Sequence, residues 1–108
     1  MQTIKIASVF ADTPGARHKT DGPFSGQDFR ERILRPRFDA LKPGEKLLID
    51  FDGAFGYPTS FLEEAFGGLA RELGNVQDVL TKLEFKSDDE PHLIKEVKGL
   101  IENAIQGI

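Results

Sequence analysis

Asp50 and Asp52 are the side chains of this sequence best placed to do chemistry. They close the run Leu47-Leu48-Ile49-Asp50-Phe51-Asp52-Gly53, where an apolar stretch gives way to a glycine turn. Carboxylates at the end of a central strand stand where an α/β sheet normally places its functional site. They can equally accept backbone hydrogen bonds that shape the turn. A further pair, Asp88-Asp89, follows a later strand-like segment. Basic residues offer a different chemistry. Arg17, His18 and Lys19 could face the free amides of Ser25, Gly26 and Gln27 at a helix start, making an anion site for nucleotide or phosphate. Its contacts would be Arg17, Lys19, Ser25 and Gly26. The plainer alternative is a solvated loop whose bases offset Asp12 and Asp21, since no glycine-rich phosphate fingerprint is complete here. Thr59 and Ser60 stand at another helix start. Ser60 can cap the helix, or a hydroxyl there can take a phosphate whose charge the helix dipole stabilises. Phe55, Tyr57 and Phe61 crowd the same turn, either as core or as exposed anchors of an interface.

The composition bounds these choices. A chain of 108 residues with 39% hydrophobic and 30% charged residues suits a single domain over 1–108, neither membrane-embedded nor disordered. No apolar run approaches the roughly 20 residues that span a bilayer. The start, Met1-Gln2-Thr3-Ile4-Lys5-Ile6, lacks the layout of a signal peptide. Cysteine is absent, which removes disulfides, thiolate catalysis and cysteine-ligated zinc. His18 and His92 lack the spacing of a metal pair, so no metal and no cofactor is expected. A net charge of −4 argues against non-specific nucleic-acid binding. A cytoplasmic location fits these features.

The elements that must position the candidates follow from patterning. Residues 3–9 read as a first strand and 11–24 as loop, with 16–20 able to fold back after Pro14-Gly15 as a short antiparallel strand. Ser25 caps a helix, with Asp28 as the partner of a weaker capping box and Phe24 with Phe29 as a hydrophobic staple. Phe29, Ile33 and Leu34 form its buried stripe, Arg30, Arg32 and Arg35 lie outside, and Pro36 predicts an end or kink near Arg35. Phe38 and Leu41 continue as a short second turn. Residues 46–51 suit a central strand covered on both faces. Ser60 and Glu63 predict a capping box for a helix with Leu62, Ala65, Phe66, Leu69 and Leu73 inward and Gly74 as its stop. Gly67-Gly68 inside it predicts close approach of helix and sheet. Residues 82–86 read as an edge strand, with Leu83 and Phe85 inward. Asp88, Asp89 and Pro91 open a last helix whose stripe is Leu93, Ile94, Val97, Leu100, Ile101, Ala104, Ile105 and Ile108.

Two resemblances emerge. Residues 47–53 resemble the first motif of haloacid-dehalogenase-type phosphotransferases, which implies Asp50 as nucleophile and Asp52 as acid–base around magnesium. Ala54 stands where that motif usually has threonine, and the segment between Asp52 and Asp88 is too short for the family's further strands and its lysine and hydroxyl motifs. The other resemblance is broader. IDFDGAFGYPTSFLEEAFGGL, from Ile49 to Leu69, together with DGPFSGQDFR, from Asp21 to Arg30, resembles the signature of a STAS-like bacterial domain family of unknown function. That family is similar in turn to the STAS domains of anti-sigma-factor antagonists. In the antagonists a serine in the turn before the second helix is phosphorylated by a histidine-kinase-like ATPase. Thr59 falls at that serine and Ser60 at the next, although Pro58 replaces the family's aspartate and Phe61 its glycine.

The expected fold is therefore α/β, a small mixed but mostly parallel sheet of about four strands flanked by three main helices. The resemblance implies a truncated STAS-like domain, short of a final strand and helix. The expected role is a regulatory, non-enzymatic switch module that binds a protein such as a histidine-kinase-like ATPase through Tyr57, Thr59, Ser60 and Phe61. Thr59 and Ser60 are its candidate phosphorylation points. A magnesium-dependent phosphotransferase or hydrolase using Asp50 and Asp52 is the alternative, and a nucleotide or phosphate sensor the third.

Overall fold

Three short strands pair in parallel and in one register. They are β1 (Gln2–Lys5), β2 (Leu47–Asp50) and β3 (Leu83–Lys86), with β2 in the centre. The computed structural model describes residues 2–105, so Ile108, assigned above to the last apolar stripe, lies outside the described residues. The sheet is smaller than expected and wholly parallel. The segment 16–20 does not pair as an antiparallel strand; Lys19–Asp21 forms a single 3₁₀ turn. The first strand is also shorter than its pattern suggests, because the chain winds into one helical turn at Ile6–Val9. Ile6 is still buried, so the turn keeps the apolar contact that the strand pattern implied.

Between β1 and β2 runs helix α1 (residues 26–39). It comprises Gly26–Phe29, a wide π-helical turn over Arg30–Leu34, and Arg35–Asp39. Ser25 caps it as expected, its Oγ accepting the Asp28 amide at 3.0 Å. Pro36 does not end the helix. The Arg35 amide reaches five residues back to the Arg30 carbonyl, and the widened turn makes room for a ring that cannot donate. The staple is indirect: Phe10 lies between Phe24 and Phe29, with ring centroids 5.9 Å and 5.3 Å away.

Helix α2 (residues 59–73) joins β2 to the next helix and also widens, over Glu63–Gly67. Gly74 stops it in the left-handed conformation, φ 65°. Asn75 then caps α3 (Val76–Lys82), its side chain accepting the Asp78 amide at 2.9 Å. The patterning above assigned no element to this segment, so α3 stands beside the three helices expected. After β3, Pro91 caps α4 (His92–Glu102), which buries Leu93, Val97 and Ile101.

Both crossovers step the same way across the sheet, so the right-handed rule lays both sets of helices on one face. Burial agrees. Ile4, Leu47, Ile49 and Leu83 are buried on that side, whereas Thr3 and Lys5 are exposed, and Leu48, Asp50, Glu84 and Lys86 half-buried, on the other. The central strand is thus covered on one face, not two. Its core is aromatic, running from Phe29 and Phe61 through Phe66 to Phe51 and Phe85.

Candidate functional site

The carboxyl end of the sheet gathers the loops that follow β1, β2 and β3. Asp50 Oδ1 accepts the Asp52 amide at 2.9 Å, so it shapes the turn it begins. Asp52 is held from both sides, by Lys86 Nζ at 2.7 Å on one oxygen and the Asp89 amide at 2.9 Å on the other. The amide bond from Asp89, reinforced by Lys86, pulls the Asp52 carboxyl below the usual carboxylate range. Lys86 is raised in turn, by Asp52 first and then by Asp88, which lies 3.0 Å away. Asp89 completes the lattice by accepting the Gly53 amide at 3.0 Å. The lysine and the second aspartate pair therefore do meet Asp52, but they tie loop to loop.

The next turn is fastened by Tyr57. Its hydroxyl donates to the Phe51 carbonyl at 2.8 Å, and its ring meets Phe51 edge-on at 5.1 Å. Burial, aided by Asp50 and Asp52, raises its pKa further above the ordinary tyrosine value. Phe61, expected on the binding surface, is instead fully buried among Phe10, Phe29 and Tyr57. Of the three aromatics in this turn the exposed one is Phe55, 84% accessible, whose amide donates to the Asp12 carbonyl at 2.8 Å. Phe55 borders an open hollow of about 440 Å³ shared with Thr13, Pro14, Gly56, Tyr57 and Pro58.

Helix α2 begins one residue earlier than its expected cap. Pro58 is the N-cap and its carbonyl accepts the Leu62 amide at 3.2 Å, so no Ser60–Glu63 capping box forms. Ser60 sits half-buried inside the first turn, while Thr59 is exposed and its hydroxyl donates to Glu96 of α4 at 3.2 Å. Nothing in the local sequence announces Glu96; only the packing of α4 beside α2 brings it there.

Glu63 is engaged elsewhere, by Arg17 at 2.5 Å and Arg71 at 2.6 Å. Beside it, Glu64 receives Arg30 at 2.7 Å and Arg17 at 3.5 Å, with His18 at 3.6 Å. Arg30 was expected outside, yet it is only 7% exposed. It crosses α2 above Gly68, where a Cβ would lie 2.4 Å from its guanidinium. Gly68 thus makes room for an arginine of the neighbouring helix, not for the sheet.

The same contacts occupy the expected anion site. The Gly26 and Gln27 amides donate to the carbonyls of Ala16 and Arg17 at 2.9 and 3.0 Å, and Ser25 Oγ is taken by its own cap. Lys19 pairs with Glu31, and Arg17 with the two glutamates. Gly26 is small for a packing reason, since a Cβ there would stand 2.5 Å from the Phe61 carbonyl. Among the described residues, no cluster of three histidine, aspartate or glutamate side chains is arranged to hold a metal ion, and no helix is long and apolar enough to cross a membrane.

A family model described as a STAS-like domain of unknown function (DUF4325) matches residues 25–93. The chain belongs to this family. The match runs from the Ser25 cap to the start of α4, taking in β2, β3 and the turn at Thr59. No curated protein and no solved structure matches this chain.

Proposed function

We propose that this STAS-like domain is a regulatory protein-interaction module whose binding surface is the turn of residues 52–58 and the start of α2. The observation that carries the reading is Phe55, an aromatic ring 84% exposed, four residues before the exposed hydroxyl of Thr59. Exposing a large ring leaves about 2 kcal/mol of apolar burial unused until a partner covers it. The resemblance to anti-sigma-factor antagonists supports a histidine-kinase-like ATPase as the class of partner. Phosphorylation of Thr59 would act locally. A phosphate there gains from the α2 amide end but faces Glu96, replacing a hydrogen bond between two helices with repulsion. Phe61 is left out of the surface because it supports the turn from within.

Binding of such a partner should weaken at least about tenfold, or about 1.4 kcal/mol, on Phe55→Ala. Thr59→Glu should weaken it as well, with the melting curve of each variant serving as the folding control. Undiminished binding by both variants would sink the surface. The competing phosphotransferase reading draws on the meeting of Asp50, Asp52, Lys86 and Asp88 at one loop. It requires magnesium-dependent turnover of a generic phosphoester that Asp50→Asn abolishes.

A further inference from the structure

On the side of the molecule formed by α3 and α4 lies an open groove of about 670 Å³, lined by Leu80, Pro91, Ile94, Lys95, Lys98 and Glu102. Helix α4 meets the core through Leu93, Val97 and Ile101, one residue in every turn. Ile94 stands off that stripe. It is half-buried, does not belong to the core cluster, and with Leu80 and Pro91 forms an apolar floor.

Most cations meet carboxylates, among them Arg17 and Arg71 on Glu63, Arg30 on Glu64, Lys86 on Asp52 and Lys82 on Asp78, while Lys5, Arg37 and Lys42 make no such pair among the described residues. Among the described residues, Lys95 and Lys98 make no ion pair, and both are exposed at the groove. The protein as a whole carries a net charge of −4. By contrast the rim sets two cations against the single carboxylate of Glu102, which favours an acidic ligand there.

We propose that this groove receives an acidic amphipathic helix of a partner protein. The apolar floor calls for a ligand with an apolar stripe, which nucleic acid lacks. A trough between two helices suits a third helix laid into it, read through residues one turn apart. Carboxylates flanking the stripe would then meet Lys95 and Lys98, while Glu102 disfavours extra negative charge at the far end and sets the direction of the bound helix. The surface is built from residues other than those of the Thr59 turn, so it does not depend on the function proposed there.

The test is fluorescence polarisation with a labelled helical peptide of about 15 residues, bearing leucines at i, i+3, i+4 and i+7 and glutamates beside them. The expected result is saturable binding that weakens at least about tenfold with Lys95→Glu plus Lys98→Glu. It should also weaken as salt rises from about 0.05 to about 0.5 M. Ile94→Asp should remove it, and Phe55→Ala should leave it unchanged. A peptide with the same leucines but lysines for glutamates should not bind. Equal binding of both peptides, binding indifferent to the charge reversal, or none at all would each overturn the proposal. The substituted side chains are solvent-exposed or half-buried, and circular dichroism melts confirm that each variant folds.

Discussion

Glu63 lies between two guanidinium groups, Arg71 at 2.6 Å and Arg17 at 2.5 Å, and these contacts hold its carboxyl below the ordinary value of 4.5. The hydrogen bond from Arg71 is the largest influence, and burial opposes it. A carboxyl whose folded-state pKa is depressed binds protons more readily when unfolded. Its contribution to stability is therefore full above pH 4.5 and disappears as pH falls through the depressed value. Glu63→Gln should cost about 1 kcal/mol at pH 7. The gap from the parent protein should close in urea melts taken progressively below pH 4.5. This site was illegible beforehand, because Glu63 stood where a capping-box partner belongs and Arg17 where an anion ligand might. Both local readings were sound chemistry, but each side chain found a stronger opposite charge on another element.

At the scale of elements, helix starts and stops were the most legible features. Ser25 and Gly74 do what their types predict, because caps and left-handed stops depend on a few neighbouring backbone groups. Of the end or kink expected near Arg35, the end did not form and a widened turn stands directly before Pro36 instead. A π-helical turn relieves the clash locally, and packing of α1 against α2 rewards a helix that continues. The crossing of those helices depends on Gly26, whose missing Cβ would stand 2.5 Å from the Phe61 carbonyl. Gly26→Ala improves helix propensity by about 1 kcal/mol. It should nevertheless destabilise the protein by about 1–3 kcal/mol, because a backbone carbonyl cannot swing aside as a side chain can. Chemical denaturation of the single variant checks the sign.

For the whole molecule, the order β1-β2-β3 leaves one sheet face to solvent, and neighbouring residues of the central strand should respond differently. Ile49→Ala opens a cavity under the helices and should cost about 2–5 kcal/mol. Leu48→Thr, on the half-buried open face, should cost less than about 1 kcal/mol. Denaturant midpoints for the two variants measure the asymmetry, and equal losses would mean the second face is covered.

The opening question, what Asp50 and Asp52 are for, divides sequence from structure cleanly. The strand before them, the glycine turn after them, the parallel α/β class and the family signature all follow from patterns within a few residues. They were readable because periodicity, caps and turns are local physics. Which groups surround those carboxylates is set by residues far along the chain, such as Lys86 and Asp89. The same holds for the burial of Arg30 and Phe61, the exposure of Phe55 and the reach of Thr59 to Glu96. Only the packed chain decided these, because charge pairing and burial depend on distances that spacing in the sequence does not contain.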